Sequence, residues 1–385
     1  MERISLKLAE LKETTEQVVE SVIAPLAAKV DEECVWPAHS MSALADANLL
    51  GLQVPESLGG HGEGLLALSL LTETIGGACP SSALCFGMHC VGTAVIAAKA
   101  TSYQAEHYLR QIAQGKHVTS LALSESGTGA NFYLSETTLT PDGDYFLVNG
   151  TKQFVTNGGH ADSYVISTVC TQPTAEGDFS CLIVDRDTPG MEWLQSWQGF
   201  GMRGNSSRGL RLKDAKVRQR NLLGEEGDQI WYVFEIIAPY FLMAMAGTYL
   251  GIAQSAVDAA GEHLRSRQHT HTGEALRNMG SLQTLYAKMW TSVEKTRGLL
   301  YEAAQRGDRG DPEALPFILA CKADAAKTAV DVTNDAMTIC GGMAYRENSA
   351  VSQMLRDARA GHVMAPTTEM LNNWTGRALL GLPLL

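Results

Sequence analysis

The hydrophobic pattern changes its period twice along the 385 residues of the chain, and this change limits the folds open to it. Up to about residue 115, apolar residues recur at three- and four-residue spacing, which predicts helices. Between about residues 118 and 222, short runs rich in β-branched and aromatic residues are separated by turn residues, which predicts strands. From Asp228 onward the helical spacing returns. The order predicts an α+β protein that is mostly helical, with a β insert between two helical regions.

We therefore divide the chain into an N-terminal helical domain (1–117), a middle β domain of barrel or sandwich type (118–225) and a C-terminal helical bundle (226–385). Turns are expected where Gly, Asn, Asp and Pro cluster. The predicted strands are 145–148, 153–156, 164–167, 181–184 and 209–212, with turns at 141–143, 149–150 and 157–159.

Composition excludes some classes of function. A formal net charge of −12 argues against a nucleic-acid partner, because binding to a polyanion depends on basic surface. The eight cysteines form no C-x-x-C pair, so we expect reduced thiols, no metal site and a cytoplasmic protein without an export signal. The uncharged run 236–253 approaches the length of a membrane span. Pro239 and Thr248 interrupt it without a basic flank, so we predict a buried helix and no membrane partner.

Several short motifs follow one another in a specific order. They are residues 121–132 (LALSESGTGANF), 149–157 (NGTKQFVTN), 340–345 (CGGMAY), 356–359 (RDAR) and 364–370 (MAPTTEM). In order and spacing they resemble the motifs of the acyl-CoA dehydrogenase family, and the resemblance spans essentially the whole chain. It implies a helical domain, a β domain and a C-terminal four-helix bundle, with bound FAD and a homodimer or homotetramer.

The resemblance also implies a cofactor site. Leu123 and Ser124 would meet the flavin, Phe154 would pack against its ring, and the Thr156 hydroxyl would lie near the reactive ring nitrogen. Arg267 would reach the cofactor pyrophosphate of a neighbouring subunit, although a solvated basic helix end is an equally good interpretation. The implied cofactor-binding residues are Leu123, Ser124, Gly129, Ala130, Phe154, Thr156, Arg267, Gly341, Gly342, Thr367 and Glu369.

The base that the family uses is missing. Most members carry a catalytic glutamate where this chain has Ala365, and some carry it at the position of Phe241, followed by an arginine where this chain has Leu242. Glu369, one helical turn beyond Ala365, is the nearest candidate base, but it is better interpreted as an acidic residue in the first turn of a helix. The implied substrate pocket is formed by Tyr240, Phe241, Leu242 and Ala365.

Three functions remain open. The first is FAD-dependent oxidation of an acyl thioester linked to CoA or to an acyl carrier protein. Such thioesters include those with an α-hydroxyl or α-amino group, as in synthesis of polyketide or nonribosomal extender units. Its electron acceptor would be electron-transfer flavoprotein or oxygen. The second is a flavin-dependent monooxygenase or oxidase on the same scaffold, and the third is a flavin-binding protein without redox chemistry.

Overall fold

The structure is a computed structural model that describes residues 5–172 and 177–385. A helical region, a β region and a second helical region follow one another, which confirms the predicted fold class and order. The α-helices are α1 (Leu6–Val18), α2 (Ala24–Glu32), α3 (Ala38–Asp46), α4 (Leu65–Ala78), α5 (Pro80–Ala98), α6 (Ser102–Gln104), α7 (Arg110–Ala113), α8 (Gln229–Trp231), α9 (Ala238–Ser266), α10 (Gly280–Asp308), α11 (Ala314–Cys340), α12 (Ala350–Ala358), α13 (Ala360–Val363) and α14 (Thr368–Leu379). The strands are β1 (Thr119–Ala122), β2 (Thr138–Asp142), β3 (Tyr145–Val155), β4 (Ser163–Val169), β5 (Phe179–Asp185), β6 (Met191–Trp193), β7 (Arg208–Arg218) and β8 (Leu222–Leu223).

The β region consists of two four-stranded sheets that share a hydrophobic core of their own. One sheet has the strand order β1-β4-β5-β8 and the other has the order β2-β3-β7-β6. Neighbouring strands run antiparallel, except that β1 and β4 are parallel. The expected barrel or sandwich is therefore a pair of packed sheets, and the parallel pair was not predicted.

One predicted turn is wrong. Asn149 and Gly150 lie in the middle of β3, where the strand pairs with β7 on both sides of a register shift between Val148 and Gly150. A Cβ atom on Gly150 would stand 2.4 Å from the Thr137 hydroxyl oxygen. The glycine therefore permits a close approach at a bulge, and the pairing partners on both sides override the local turn propensity.

The two helical regions share one hydrophobic core, which is formed by apolar helices that pack on one another. The helical stretches Pro80–Ala98 and Gln229–Ser266 could cross a membrane by length and composition, but 89% and 83% of their apolar windows are buried inside the protein. Helix α9 packs against α4, α5, α10 and α11. The prediction of a buried helix over residues 236–253 is thus confirmed. Residues 1–4, on which the expected lack of an export signal depends, lie outside the described part of the chain.

Two hydrogen bonds join the N-terminal helices to the β region. The Trp36 indole N–H donates to Asn157 Oδ1 at 2.8 Å, and Asn157 Nδ2 donates to the Cys85 carbonyl at 3.0 Å. Asn157 is buried, so its amide has protein partners where water is excluded. These contacts fix the end of β3 against α5.

The C-terminal helices bring the chain back to the β region. Helix α11 packs against α9, α10, α12, α13 and α14. The connection from α12 to α14 consists of residues 359–367, which we call the C-terminal wall. It includes the short helix α13 and Ala365, and it places the position of the missing base beside the strands.

All eight cysteines are free, and six of them are buried. In residues 5–172 and 177–385, no group of three or more His, Cys, Asp and Glu side chains could hold a metal ion. His89, which lies between two of the cysteines in sequence, uses both ring nitrogens in bonds to the backbone of Leu50 and Thr119. Burial lowers the pKa of His89 to about 4, so it is a neutral structural side chain.

Candidate functional site

A cavity of about 800 Å³ lies between the β region, helices α5 and α9, and the C-terminal wall. Its lining is mainly apolar with a few polar groups, which is typical of sites for cofactors and small molecules. Helix α5 contributes Leu84 and Met88, and α9 contributes Ala238 and Phe241. Because these parts are far apart in the sequence, the cavity exists only when the three regions are docked.

Eight residues of the predicted site line this one cavity. They are Leu123, Ser124, Gly129, Ala130, Phe154, Thr156, Phe241 and Ala365. Motifs that seemed weak singly therefore meet in space, although the part that each residue plays in binding stays a prediction.

The other predicted residues lie outside the lining. Tyr240 and Leu242 turn into the helical core, where Leu242 is fully buried and burial raises the pKa of Tyr240 to about 12. Arg267 is exposed at the end of α9. Gly341 and Gly342 are exposed at the end of α11, and nothing lies within 4 Å of a Cβ atom built on either. Within a single copy of the chain, these residues do not join the cavity.

Thr367 and Glu369 lie at the start of α14, where both stabilise the helix end. The Thr367 hydroxyl accepts a hydrogen bond from the Met370 N–H at 3.3 Å, which caps the helix. Glu369 is exposed in the first turn, where the helix dipole favours a carboxylate. A base must come within hydrogen-bond reach of its proton, so the geometry gives no support to Glu369 in that role.

Phe154 forms an aromatic wall of the cavity. Its φ of 55° is left-handed, which is rare for a bulky residue, and a register shift between Lys152 and Val155 accommodates it. The side chain is 65% exposed and meets Trp197 edge to face, with ring centroids 6.3 Å apart. A strained aromatic residue at a cavity edge is typical of a ligand-binding position, and an open ring face can stack on a planar cofactor.

Polar groups beside Phe154 also fit a flavin. Thr156 is buried, its hydroxyl lies 3.3 Å from that of Ser207, and its carbonyl accepts a hydrogen bond from Ser120 Oγ at 2.8 Å. Gly129 has φ of 56°, and a Cβ atom there would have nothing within 4 Å. A Cβ atom at Gly129 would therefore meet no neighbouring atoms. The residues fit FAD: an aromatic wall, fixed hydroxyls and a loop that leaves room.

A buried ion pair supports the loop that carries Leu123 and Ser124. Lys152 and Glu125 are both buried and pair directly, and Lys152 Nζ also donates to Ser167 Oγ at 3.0 Å. Glu125 accepts further hydrogen bonds from Ser135 Oγ at 2.7 Å and from the Glu136 N–H at 2.7 Å. Burial raises the pKa of Glu125, but its partners outweigh burial and hold the pKa below its usual range.

The opposite side of the cavity is held by neighbouring charged residues of α12. Arg356 pairs with Asp31 and also donates to the Phe200 carbonyl at 3.1 Å. Asp357 accepts the backbone N–H of Met202, a cavity-lining residue, at 2.5 Å. Burial raises the pKa of Asp357 to about 7. Both residues thus position the lining loop from behind.

The raised pKa of Asp357 predicts a pH-dependent stability. Because the folded-state pKa of about 7 lies above the ordinary 3.8, the native state holds the proton more tightly. The stabilisation of the native state by protonated Asp357 is complete below the ordinary pKa and is lost as the pH rises through 7. Asp357→Asn keeps an acceptor for Met202. Between pH 5 and 8 its free energy of unfolding, measured in urea, should therefore decline by about 3 kcal/mol less than that of the wild type. The exposed control Asp187→Asn should keep the wild-type slope; equal slopes in all three would contradict this.

The cavity offers no free base. Among the described residues, its ionisable lining groups are Glu125, Arg356 and Arg359. The Glu125 carboxylate is occupied by Lys152 and other donors, and the arginines are cationic. Ala365 lies in the wall where a carboxylate is expected. In the described parts of the chain, the lining therefore has no carboxylate or imidazole available to take a proton from carbon.

Comparisons with known proteins agree with this geometry. The family models for the N-terminal, middle and C-terminal domains of acyl-CoA dehydrogenase match residues 7–116, 120–215 and 242–380. A cyclohex-1-ene-1-carbonyl-CoA dehydrogenase of Geobacter metallireducens is 31% identical over 359 residues, which cover 93% of this chain and 94% of that protein.

Solved structures share the fold over nearly their whole length. Butyryl-CoA dehydrogenase of Megasphaera elsdenii superposes with a TM-score of 0.92 at 25% identity, covering 98% of this chain and 99% of that one. The prolyl acyl carrier protein oxidase AnaB superposes with a TM-score of 0.87 at 22% identity, covering 98% of this chain and 100% of that one. The second likeness, at this identity, concerns the fold alone.

Proposed function

Because the chain belongs to the acyl-CoA dehydrogenase family, we propose that it binds FAD in the cavity and oxidises an acyl thioester whose α carbon bears a hydroxyl or amino group. The family's members are flavin-dependent oxidoreductases, and the chain is an oxidoreductase of this kind. The observation that carries the finer proposal is the lack of a free base in the described cavity lining.

Ordinary desaturation of an acyl thioester begins with loss of a proton from the α carbon. A general base within about 2.6–3.2 Å of that proton, directly or through one water, is needed for it. Neither Ala365 nor Phe241 can provide one. A substrate with an α-heteroatom avoids the requirement, because its α hydrogen leaves as hydride. The proton is then lost from oxygen or nitrogen, where it becomes acidic as the C=O or C=N bond forms.

The balanced reaction removes two hydrogens from the substrate. The α C–H bond breaks with its electron pair, the O–H or N–H bond loses a proton to solvent, and a C=O or C=N bond forms. Bound FAD supplies the hydride acceptor. The chain contributes an aromatic wall at Phe154, a fixed hydroxyl at Thr156 and apolar walls at Met88 and Phe241 that exclude water.

The thioester carrier is proposed from a residue that lies directly behind the cavity lining. The position next to Phe241, where the resemblance to the family implies an arginine, is the fully buried Leu242. An acyl carrier protein presents its acyl group on a phosphopantetheine arm without the charged nucleotide of CoA, so fewer cations are needed. We therefore favour a carrier-protein substrate over a CoA thioester, with electron-transfer flavoprotein or oxygen as the electron acceptor.

A cytoplasmic homodimer or homotetramer completes the proposal. Arg267, Gly341 and Gly342 are exposed, as expected of residues that complete the cofactor site of another copy. Trp290 and Tyr345 are 53% and 82% exposed, which suits helices that a second copy covers. Eight free cysteines suit a reducing compartment.

Anaerobic mixing separates the candidate functions. The reconstituted FAD protein should lose its absorbance near the flavin's visible maximum when an α-hydroxyacyl or α-aminoacyl carrier protein is added without any reductant. The saturated acyl carrier protein, our control, should leave the spectrum unchanged, because it needs the missing base. Bleaching by the saturated substrate would contradict the proposal. A protein that is reduced only by an added reductant, and then consumes oxygen, would be a monooxygenase or oxidase.

A further inference from the structure

Two lysines are fully buried, but their partners differ. Lys152 pairs with the Glu125 carboxylate. Lys322, in the middle of α11, has no ion pair within residues 5–172 and 177–385, and all its hydrogen bonds go to backbone carbonyls. Burying a charge without an opposite charge is costly, so the position of this ammonium group calls for an explanation.

The ammonium group of Lys322 fixes the C-terminal wall. Its Nζ donates to the carbonyls of Gly361 at 2.9 Å, Met364 at 2.9 Å and Pro366 at 2.8 Å. An ammonium group has three N–H bonds, so all three are used. Gly361 lies within the four-residue helix α13, and Met364 and Pro366 follow it; the last four carbonyls of a helix and those beyond it lack donor partners within the helix.

The fixed segment is part of the cavity lining. Met364, Ala365 and Pro366 all line the cavity, and Lys322 holds the carbonyls on both sides of Ala365. The wall also packs tightly on α11, because a Cβ atom on Gly361 would stand 2.7 Å from Ala326 Cβ. One side chain thus determines where the backbone at the position of the missing base lies.

The charge of Lys322 acts on the cavity as well. Burial lowers the pKa of Lys322 to about 7, and the carboxylate of Glu369 opposes this, as do the carbonyl acceptors, which favour the protonated form. Below that pKa the wall carries a positive charge that no carboxylate in the described structure neutralises by contact. In a low-dielectric site such a charge favours negative charge nearby.

We propose that Lys322 is a positioning residue that fixes the cavity wall around Ala365 and makes the cavity favour the reduced, negatively charged form of the flavin. The inference rests on flavin binding, which is part of the proposed function. Two-electron reduction with uptake of one proton leaves one added negative charge on the flavin, and the buried ammonium group stabilises that charge.

The test measures the midpoint potential of the bound flavin without substrate, under anaerobic conditions, at a pH below the pKa of Lys322. Lys322→Met removes the charge and all donors, while Lys322→Gln removes the charge but keeps an amide that can donate to the wall. In both, affinity for reduced flavin should fall about tenfold more than affinity for oxidised flavin. For a two-electron couple this lowers the potential by about 30 mV.

The control is Lys327→Met, because Lys327 is on the same helix, is exposed and pairs with Asp331 of its own turn. Its potential should equal that of the wild type. If Lys322 only stabilised the fold, its loss would weaken the binding of oxidised and reduced flavin equally. An unchanged potential in folded variants would therefore overturn the proposal. Failure of both Lys322 variants to fold, with the control folded, would also count against it. A wild-type protein that takes up no FAD would instead refute the proposed function.

Discussion

Ala365→Glu is expected to give the protein an α-base and the ability to desaturate a saturated acyl thioester such as a butyryl acyl carrier protein. Ala365 lines the cavity, and the neighbouring carbonyls of Met364 and Pro366 are held by Lys322. A carboxylate at this position would enter the same cavity as Phe154 and Thr156. Since a positioned general base contributes about 10²–10⁴-fold, the gain should be at least about a hundredfold over the natural chain.

The measurement is reduction of an artificial electron acceptor by the FAD-loaded variant in the presence of a butyryl acyl carrier protein. Ala365→Gln is the matched control, because it has the same size without a base, and it should show no gain. The activity of the Glu variant should rise with pH as its carboxyl ionises. Glu369→Gln should leave the natural activity unchanged. Loss of activity in this variant would identify Glu369 as the base. Equal activity of the Gln and Glu variants at position 365 would contradict the prediction.

Lys152→Met is expected to produce the largest loss of stability. It would leave the buried Glu125 carboxylate without its cation, and breaking a buried pair in this way typically costs about 3–5 kcal/mol. Whole domains are stable by only about 5–15 kcal/mol. We also expect the loss of flavin binding, because Glu125 and Lys152 hold the loop that carries Leu123 and Ser124.

Urea unfolding and flavin titration measure both effects. Adding Glu125→Gln to Lys152→Met removes the stranded charge, so the double variant should recover part of the lost stability. The control is Lys216→Met, whose partner Asp142 is half-exposed; such surface pairs contribute about 0–1 kcal/mol. A Lys152 variant as stable as the Lys216 variant would show that the buried pair does not hold the loop.

Much of the fold could be predicted from the sequence, because the change of hydrophobic period reports directly which segments are helices and which are strands. The errors lie where tertiary contacts override local preference. Asn149 and Gly150 have strong turn propensity, yet β7 pairs with both halves of the strand and Thr137 fills the space that a side chain at Gly150 would need. No short window of sequence contains those partners.

The site could be predicted only in part, for a similar reason. The motifs identified the loop at Leu123 and the wall at Ala365, since these residue types recur in a known order. The sequence reasoning missed Trp197, Met88 and Lys322, whose contributions depend on long-range packing. Lys322 did leave a signal. It occupies a core position of α11, three residues before the buried Ala325 and four after the buried Ile318, where a lysine is unusual.

The meeting of three distant stretches of chain at the cavity has a consequence for assembly. Helices such as α5 and α11 can form before the domains dock, but the walls contributed by Met88, Phe154 and Ala365 come together only at the end. A partly assembled chain therefore has no complete cavity in which to bind the flavin. The ratio of bound flavin to protein after gel filtration would therefore report what fraction of a preparation has completed its last folding step.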